Sequence, residues 1–514
     1  MASESDRRLD LLASGRVRIA LLLASAVIGR LAYPPFDWNL LIWVSLVPVF
    51  ACAVSRTPRE ALADGWLHGM AFFTLLLHWL DYTFQTYSLI PWPVTWLPLL
   101  GLAGYCGLYT GLVAAALSWL RGRLGTAWAL FSAPFIWVAG EWVRGHLLSG
   151  FPWGLLGYSQ AYALPVIQIA EWTGVYGVSF LVAGTNAALV GAVALRWRQA
   201  WVAVGSAAAL VLGTLVVGWQ TLEPSPREGP RVVVVQPSID QAQKWDPVFL
   251  DQAMEVYRQL TLEGGRTPPA LVAWPETAAP VLLRRDPAIL ERVRRLARQV
   301  EAPLILGSVD ASREGDGRYF NSAFLVTEQG ISGKYDKMHL VPFGEYLPLS
   351  RLLGFVRGWA EFISDFRAGS RPVVFREGGE PFGVVICYEG LFPELFSKFV
   401  FEGAKFMVNI TNDAWFGRTS GPLQHLAVLP LRAVENRVAI ARAANTGVSA
   451  IIEPTGQISQ SLGLFERGVV AARLPLSMGT TFYTRYGDVF AYGCLALALL
   501  AGIVGLWRPF PSAE

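Results

Sequence analysis

Apolar stretches close to the length of a bilayer crossing crowd the first 220 residues, at about 17–33, 37–55, 62–87, 93–119, 127–148, 163–195 and 200–220. One more lies at 486–507. A hydrocarbon core takes about 20 apolar residues per helical crossing, and backbone in lipid has to satisfy its own hydrogen bonds. Seven such stretches in succession therefore point to a helical membrane region. A mean hydropathy of +0.39, with 53% hydrophobic and only 16% charged residues, agrees. The net charge of +3 is too small to argue for nucleic acid. A length of 514 residues calls for more than one domain.

Orientation follows from the basic residues between the stretches. Arg7, Arg8, Arg16 and Arg18 precede or open the first stretch, which reads as an uncleaved span because further apolar segments follow it. Arg56 and Arg59, Arg121 and Arg123, Arg196 and Arg198, and finally Arg508 mark every second connection. This bias predicts about eight spans, both termini cytoplasmic and a large polar region on the outside face. The expected divisions are 1–225 for seven spans, 226–480 for the external domain and 481–514 for the closing span and tail. His68, His78, Asp81, Glu141, Arg144, His146 and Glu171 fall in or beside spans, mostly near segment ends. Interface anchoring and bonds between helices account for them better than a transport path.

From residue 231 the period changes. Short β-rich runs occur at Arg231–Gln236, Ala270–Trp274, Pro303–Gly307, Asn321–Val326, Phe382–Cys387, Phe406–Ile410 and Ser449–Ile452. Helical patterns at Pro247–Leu262 and Asp286–Gln299 lie between them, and Asn321–Lys337 reads as a hairpin closed at Glu328-Gln-Gly330. This alternation predicts an α/β domain with a mixed sheet. Of the four cysteines, Cys52, Cys106 and Cys494 sit in apolar segments, so the polar region holds Cys387 alone and no internal disulfide. The five histidines are scattered, no nucleotide-binding glycine loop is present, and neither a metal nor a cofactor is implied.

Three strand ends carry residues that a plain core would not select. Leu271-Val-Ala-Trp-Pro-Glu276 ends in a carboxylate. Lys334-Tyr-Asp-Lys337 supplies an ammonium group just after the hairpin. Phe382-Gly-Val-Val-Ile-Cys387-Tyr-Glu389 delivers a thiol. The combination suits covalent catalysis on a carbonyl: a carboxylate takes the thiol proton, the thiolate attacks, and the ammonium group steadies the oxyanion. The backbone N–H of Tyr388 is a candidate second oxyanion donor.

The order Trp-Pro-Glu276, Lys337, Cys387-Tyr-Glu389 resembles the nitrilase (carbon–nitrogen hydrolase) superfamily and its Glu-Lys-Cys triad. Longer strings are similar to its integral-membrane branch, the apolipoprotein N-acyltransferases: Gly317-Arg-Tyr-Phe-Asn-Ser322, Tyr335-Asp-Lys337-Met-His-Leu-Val-Pro-Phe-Gly-Glu345-Tyr-Leu-Pro348 and Asn409-Ile-Thr-Asn-Asp-Ala-Trp-Phe416. The resemblance implies a multi-pass α-helical membrane domain plus a nitrilase-like α-β-β-α sandwich. It implies Glu276 as general base, Lys337 as oxyanion cation and Cys387 as nucleophile. Glu345 becomes a supporting carboxylate, Tyr388 and Glu389 shape the pocket, and Trp245 lies near the substrate entrance.

The implied reaction moves a fatty acyl chain from a phospholipid, typically phosphatidylethanolamine, through a Cys387 thioester. The acceptor is the N-terminal amine of a diacylglyceryl-cysteine apolipoprotein, at the bacterial inner membrane with the catalytic domain in the periplasm. A membrane-anchored amidohydrolase that uses water as acceptor is the alternative. A non-enzymatic transporter or scaffold is disfavoured by the intact triad. Apolar residues between Leu347 and Phe366, spaced by roughly three and four from Leu352, predict an amphipathic arm. Such an arm would either gate acyl-chain entry at the membrane surface or pack on the domain's own core.

Overall fold

Trp197–Gln220 contains no proline and almost no charge, and it forms one uninterrupted helix of 24 residues. The structure, a computed structural model, describes residues 15–222, 227–244, 246–312, 318–348, 350–354, 365–476 and 479–508. These form two compact units. One holds the described residues up to Asp81, Pro93–Leu222 and those from Asp488 onward; the other holds Tyr82–Trp92 and those from 227 to Gly487.

In the helical unit, four helices are long and apolar enough to cross a membrane: Trp96–Leu124, Val175–Ala194, Trp197–Gln220 and Val489–Trp507. Three more expected spans are helices of 17, 19 and 21 residues, Gly15–Leu31, Pro58–Leu76 and Thr126–His146. Arg16, Arg18 and Arg30, then Arg59, Glu60 and Asp64, then Glu141 and Arg144 dilute their apolar character. Three of the eight stretches are segmented. Residues 37–55 form Asn39–Leu41, Ile42–Ser45 and Val47–Ala53, the last opening on Pro48. Residues 163–195 form Leu164–Ile167, Ala170–Thr173 and Val175–Ala194, divided at Gly174 with φ of 62°. The expected span 62–87 stops at Leu76 and resumes as Trp79–Tyr87.

Two Gly-x-x-x-Gly pairs set a close helix contact. A Cβ on Gly69 would lie 2.7 Å from the Cα of Gly107, and one on Gly111 would lie 2.7 Å from the carbonyl of Leu62. Only small residues permit such an approach of helices Pro58–Leu76 and Trp96–Leu124. Several polar groups bond between segments as expected. Leu156 N–H donates to Glu141 Oε1 at 2.7 Å, Thr95 Oγ1 donates to Asp81 at 2.7 Å, and Arg144 Nη1 donates to the carbonyls of Phe151 and Trp153 at 2.8 and 2.6 Å.

The second unit is built on two sheets rather than the single mixed sheet that the strand pattern suggests. The first runs Gly468–Leu476, Arg227–Gln236, Leu271–Ala273, Leu304–Ala311, Tyr319–Thr327, Gly330–Asp336, with Ala279–Leu282 paired off this path to Leu304–Ala311. The second runs Ile458–Ser461, Ala450–Ile452, Ala439–Ala444, Phe406–Thr411, Phe382–Ile386, Val374–Phe375. Helices Pro247–Gly264 and Pro287–Val300 cover the first sheet, where Met254, Tyr257, Ile289, Val293 and Leu296 join Val233, Trp274, Leu306 and Phe324 in one core. Removing such side chains from water stabilises by about 1.5–3 kcal/mol each.

All seven expected strands and both helices are present, and the hairpin closes with Thr327 opposite Gly330. Five strands fall outside the expected runs: Ala279–Leu282, Val374–Phe375, Ala439–Ala444, Ile458–Ser461 and Gly468–Leu476. Of these, Ala439–Ala444 pairs parallel with Phe406–Thr411 and is buried along its whole length. Its Ala-Ile-Ala-Arg-Ala-Ala composition favours a helix intrinsically, and burial on both faces overrides that preference.

Candidate active site

Each sequence-predicted triad residue stands just past a strand end. Glu276 follows Leu271–Ala273, where Trp274 is fully buried and donates its indole N–H to Thr261 Oγ1 at 2.9 Å. Glycine is required at 307, because a Cβ there would strike the backbone of Glu276 and Thr277. Lys337 follows Gly330–Asp336, with its backbone N–H on the Asn321 carbonyl at 2.9 Å. Cys387 follows Phe382–Ile386 and has φ of 53°, so the chain turns sharply into the 3-10 turn Cys387–Leu391. Positive φ in a non-glycine residue costs roughly 1–3 kcal/mol and persists only where surrounding contacts enforce it.

The side chains meet out of water. Lys337 Nζ lies 2.9 Å from Glu345 Oε1 and 3.4 Å from Glu276 Oε1, and the lysine is 1% exposed. Asn321 Nδ2 donates to Glu276 Oε1 at 2.7 Å and to Glu345 Oε1 at 2.8 Å. The Asn412 backbone N–H takes the other oxygen, Glu276 Oε2, at 3.0 Å. Glu345 is held from behind by Val341 N–H on its Oε2 at 2.9 Å.

Burial works against the Lys337 charge, but Glu345 and Glu276 outweigh it and hold the ammonium pKa above its usual value. Burial, reinforced by the Glu276 charge, pushes the Cys387 thiol upward, while Lys337 pulls it down. The resting sulfur is therefore a thiol, so attack requires a base to take its proton.

Glu389 is a hub. Tyr335 Oη, Met338 N–H and His339 N–H donate to its Oε1 at 2.7, 2.7 and 3.1 Å, and Ile386 N–H donates to Oε2 at 2.7 Å. It thus clamps the lysine segment to the turn carrying the thiol. Burial pushes Glu389 up to about 7 against these donated bonds. Tyr388 is buried and packs edge-on against Phe392, with ring centroids 5.1 Å apart. Trp245 lies outside the described residues, as do 349 and 355–364 of the predicted arm; the described part includes the single turn Ser350–Leu353.

Three further residues reach Glu276. Asn321 and Asn412 sit inside quoted strings, but nothing in their spacing shows that both reach Glu276. Lys244 precedes Trp245, is 6% exposed, and donates Nζ to the Glu276 carbonyl at 2.8 Å. Burial lowers Lys244 to about 8, while Glu276 and Cys387 pull the other way. A second buried cluster lies against Cys387, with polar atoms of Cys387, Asp413 and His425 all within 4.8 Å of one another. Thr411 Oγ1 and His425 Nδ1 lie 2.9 and 2.8 Å from Asp413 Oδ1, and Arg442 Nη2 donates to Oδ2 at 2.7 Å. With its oxygens so engaged, Asp413 belongs to an ion-pair network rather than to a set of ligands awaiting a cation.

Comparison with known proteins identifies the family. Residues 25–188 match the apolipoprotein N-acyltransferase N-terminal domain, and residues 231–483 match carbon-nitrogen hydrolase. The chain is 38% identical over 497 residues to an apolipoprotein N-acyltransferase of Geobacter metallireducens, covering 95% of each chain. The chain belongs to the apolipoprotein N-acyltransferase family. It is also 32% identical to the Nitrosomonas europaea apolipoprotein N-acyltransferase, over 95% of this chain and 97% of that one. Among solved structures, an amidase from Nesterenkonia sp. aligns with 52% of this chain and 97% of its own, at 21% identity and a TM-score of 0.39. The N-acyltransferase family is bacterial in these relatives, and the four apolar helices fit a membrane protein.

Proposed function

We propose that the chain performs its family's reaction, N-acylation of bacterial apolipoproteins, in two transfers through a thioester on Cys387. The observation that supports this is the buried convergence of a carboxylate, an ammonium group and a thiol, with Glu276 and Lys337 both acting electrostatically on Cys387. Glu276 takes the thiol proton. Sγ attacks an ester carbonyl of a phospholipid, phosphatidylethanolamine for preference. Lys337 and the Tyr388 N–H hold the oxyanion. Collapse breaks the ester C–O bond, and the departing lysophospholipid oxygen receives the proton from Glu276. In the second transfer the neutral amine of a diacylglyceryl-cysteine attacks the thioester, Glu276 accepts its proton, and the thiolate leaves and is reprotonated.

Glu345 and Asn321 fix the lysine and the base, and Glu389 keeps the thiol turn on the lysine segment. Trp245 serves the substrate entrance, and the 347–366 arm gates the acyl chain. In this reading the full frame has eight spans, divided at about 225 and 480, with both ends cytoplasmic and the catalytic domain periplasmic.

The acceptor decides between acyl transfer and hydrolysis. Purified protein is incubated in mixed micelles with phosphatidylethanolamine and a diacylglyceryl-cysteine peptide, and the products are resolved by mass. N-acyl peptide together with lysophospholipid is expected. Free fatty acid with unmodified peptide would replace this reading with the water-using amidohydrolase.

A further inference from the structure

His425 is 1% exposed in helix Gly421–Ala427, and no step of the proposed reaction uses it. Its Nδ1 sits 2.8 Å from Asp413 Oδ1 and its Nε2 lies 3.2 Å from the carbonyl oxygen of Cys387. Behind it, Arg442 spans three acceptors: Asp413 Oδ2 at 2.7 Å, Asn409 Oδ1 at 2.6 Å and the Val448 carbonyl at 3.2 Å. A fully buried chain of bonds thus runs from the middle strands of the second sheet to the peptide that follows the thiol. We propose that His425, braced by Asp413 and Arg442, is a positioning residue that aims the Tyr388 N–H at the oxyanion.

The argument is geometric. The Cys387 carbonyl and the Tyr388 N–H belong to one planar trans peptide, so they point in opposite directions. Fixing the oxygen fixes the direction of the N–H. A hydrogen bond to that oxygen also polarises the peptide and makes its N–H a stronger donor. The carbonyl only accepts, so Nε2 carries the hydrogen. That nitrogen then has no lone pair for the thiol proton, and the Cys387–His425–Asp413 arrangement is not a base triad. The bond also restrains a residue whose φ of 53° requires enforcement.

This inference rests on the thioester reading, and the test separates the two. His425→Gln carries an amide nitrogen far enough out to replace Nε2 on the Cys387 carbonyl. In His425→Asn the amide ends near the Nδ1 position, so it reaches Asp413 only. Acyl-enzyme formation is followed by rapid quench in phosphatidylethanolamine micelles, scored as hydroxylamine-labile mass, and thermal unfolding is measured in parallel. His425→Asn is expected to slow acylation at saturating phospholipid by roughly 30–300-fold, somewhat less than outright loss of an oxyanion donor. Its apparent KM should stay unchanged, and His425→Gln should recover to within about fivefold of the parent. A His425→Gln protein as slow as His425→Asn would overturn the proposal, and so would a folded His425→Asn within about threefold of the parent. If His425→Asn does not fold, the His425→Gln rate decides by the same limits. Absence of acyl-enzyme in the parent protein would count against the thioester reading itself.

Discussion

Helix Trp197–Gln220 turns its apolar residues outward: Trp197, Trp201, Val202, Leu212 and Trp219 are each more than 60% exposed. Helix Pro287–Val300 does the reverse. Ile289, Val293, Leu296 and Val300 are buried, while Arg292 and Arg295 point out and pair with Asp251 and Glu291 at 2.6 and 3.6 Å. Both are regular helices, and what faces out records the solvent each was selected for. The interiors differ as well. In the helical unit His68 is buried, with neither ring nitrogen hydrogen-bonded among the described residues. In the α/β unit the buried charges of the site come in dense networks: Glu276 with Lys337 and Glu345, and Asp413 with Arg442. Chemistry that creates and moves charge belongs where donors and counter-charges are already fixed in place.

The largest test of this contrast sets catalytic groups against a buried polar group of the helical unit. Lys337→Met and Glu276→Gln should each lower acyl transfer by about 10³-fold or more. His68→Leu should leave transfer within about twofold, because no bonded partner is lost. A His68→Leu protein without activity would break the comparison. Next comes stability. Arg442→Met leaves Asp413 buried without its cation, at a cost of about 3–5 kcal/mol, read as a lower unfolding midpoint in detergent. Arg442 and its brace on Asp413 also support the His425 geometry, so activity should fall with it.

A paired substitution probes the two outward faces. Leu212→Arg should cost about 2.5–3.5 kcal/mol of membrane insertion, measured as a loss of the membrane-integrated fraction. Arg295→Leu, on a water-facing helix, should change stability by about 0.5 kcal/mol or less. If Leu212→Arg inserts as well as the parent, that helix does not meet lipid.

A subtler effect, visible only as a pH dependence, concerns Lys244. Burial lowers it to about 8 in the folded chain, against about 10.4 for an unperturbed lysine. Between those values the unfolded chain binds the proton and the folded chain does not, so stability rises with pH. The gain between pH 8 and 9 should be about 1 kcal/mol. Lys244→Met should flatten the slope of the unfolding midpoint across that window. An unchanged slope would mean that another group titrates there.

How much of this was legible in the sequence depends on what each signal measures. Hydropathy registers composition, so it found the apolar stretches but not the breaks at Gly174 or between Leu76 and Trp79, which depend on backbone geometry. The seven expected strands were visible because β-branched runs ended in turn residues. Ala439–Ala444 was not, because alanine carries no strand signal and that strand is specified by its neighbours. In the site, Glu276 and Cys387 stand out as polar residues ending apolar runs and Lys337 as the ammonium group just after the hairpin, and the structure places Glu345 beside Lys337. Asn321, Asn412 and Lys244 reach Glu276 through tertiary contacts that no local spacing encodes. His425 is one of five scattered histidines in the sequence, and its partners Asp413 and Arg442 lie 12 and 17 residues away.

The central claim, a covalent acyl-enzyme on Cys387, is tested most directly by intact-protein mass spectrometry after incubation with phosphatidylethanolamine, beside a Cys387→Ala control. The account predicts a hydroxylamine-labile gain of one acyl chain in the parent, none in the control, and discharge on adding a diacylglyceryl-cysteine peptide. An unmodified parent protein that still N-acylates the peptide would contradict it, because transfer would then proceed without the thioester.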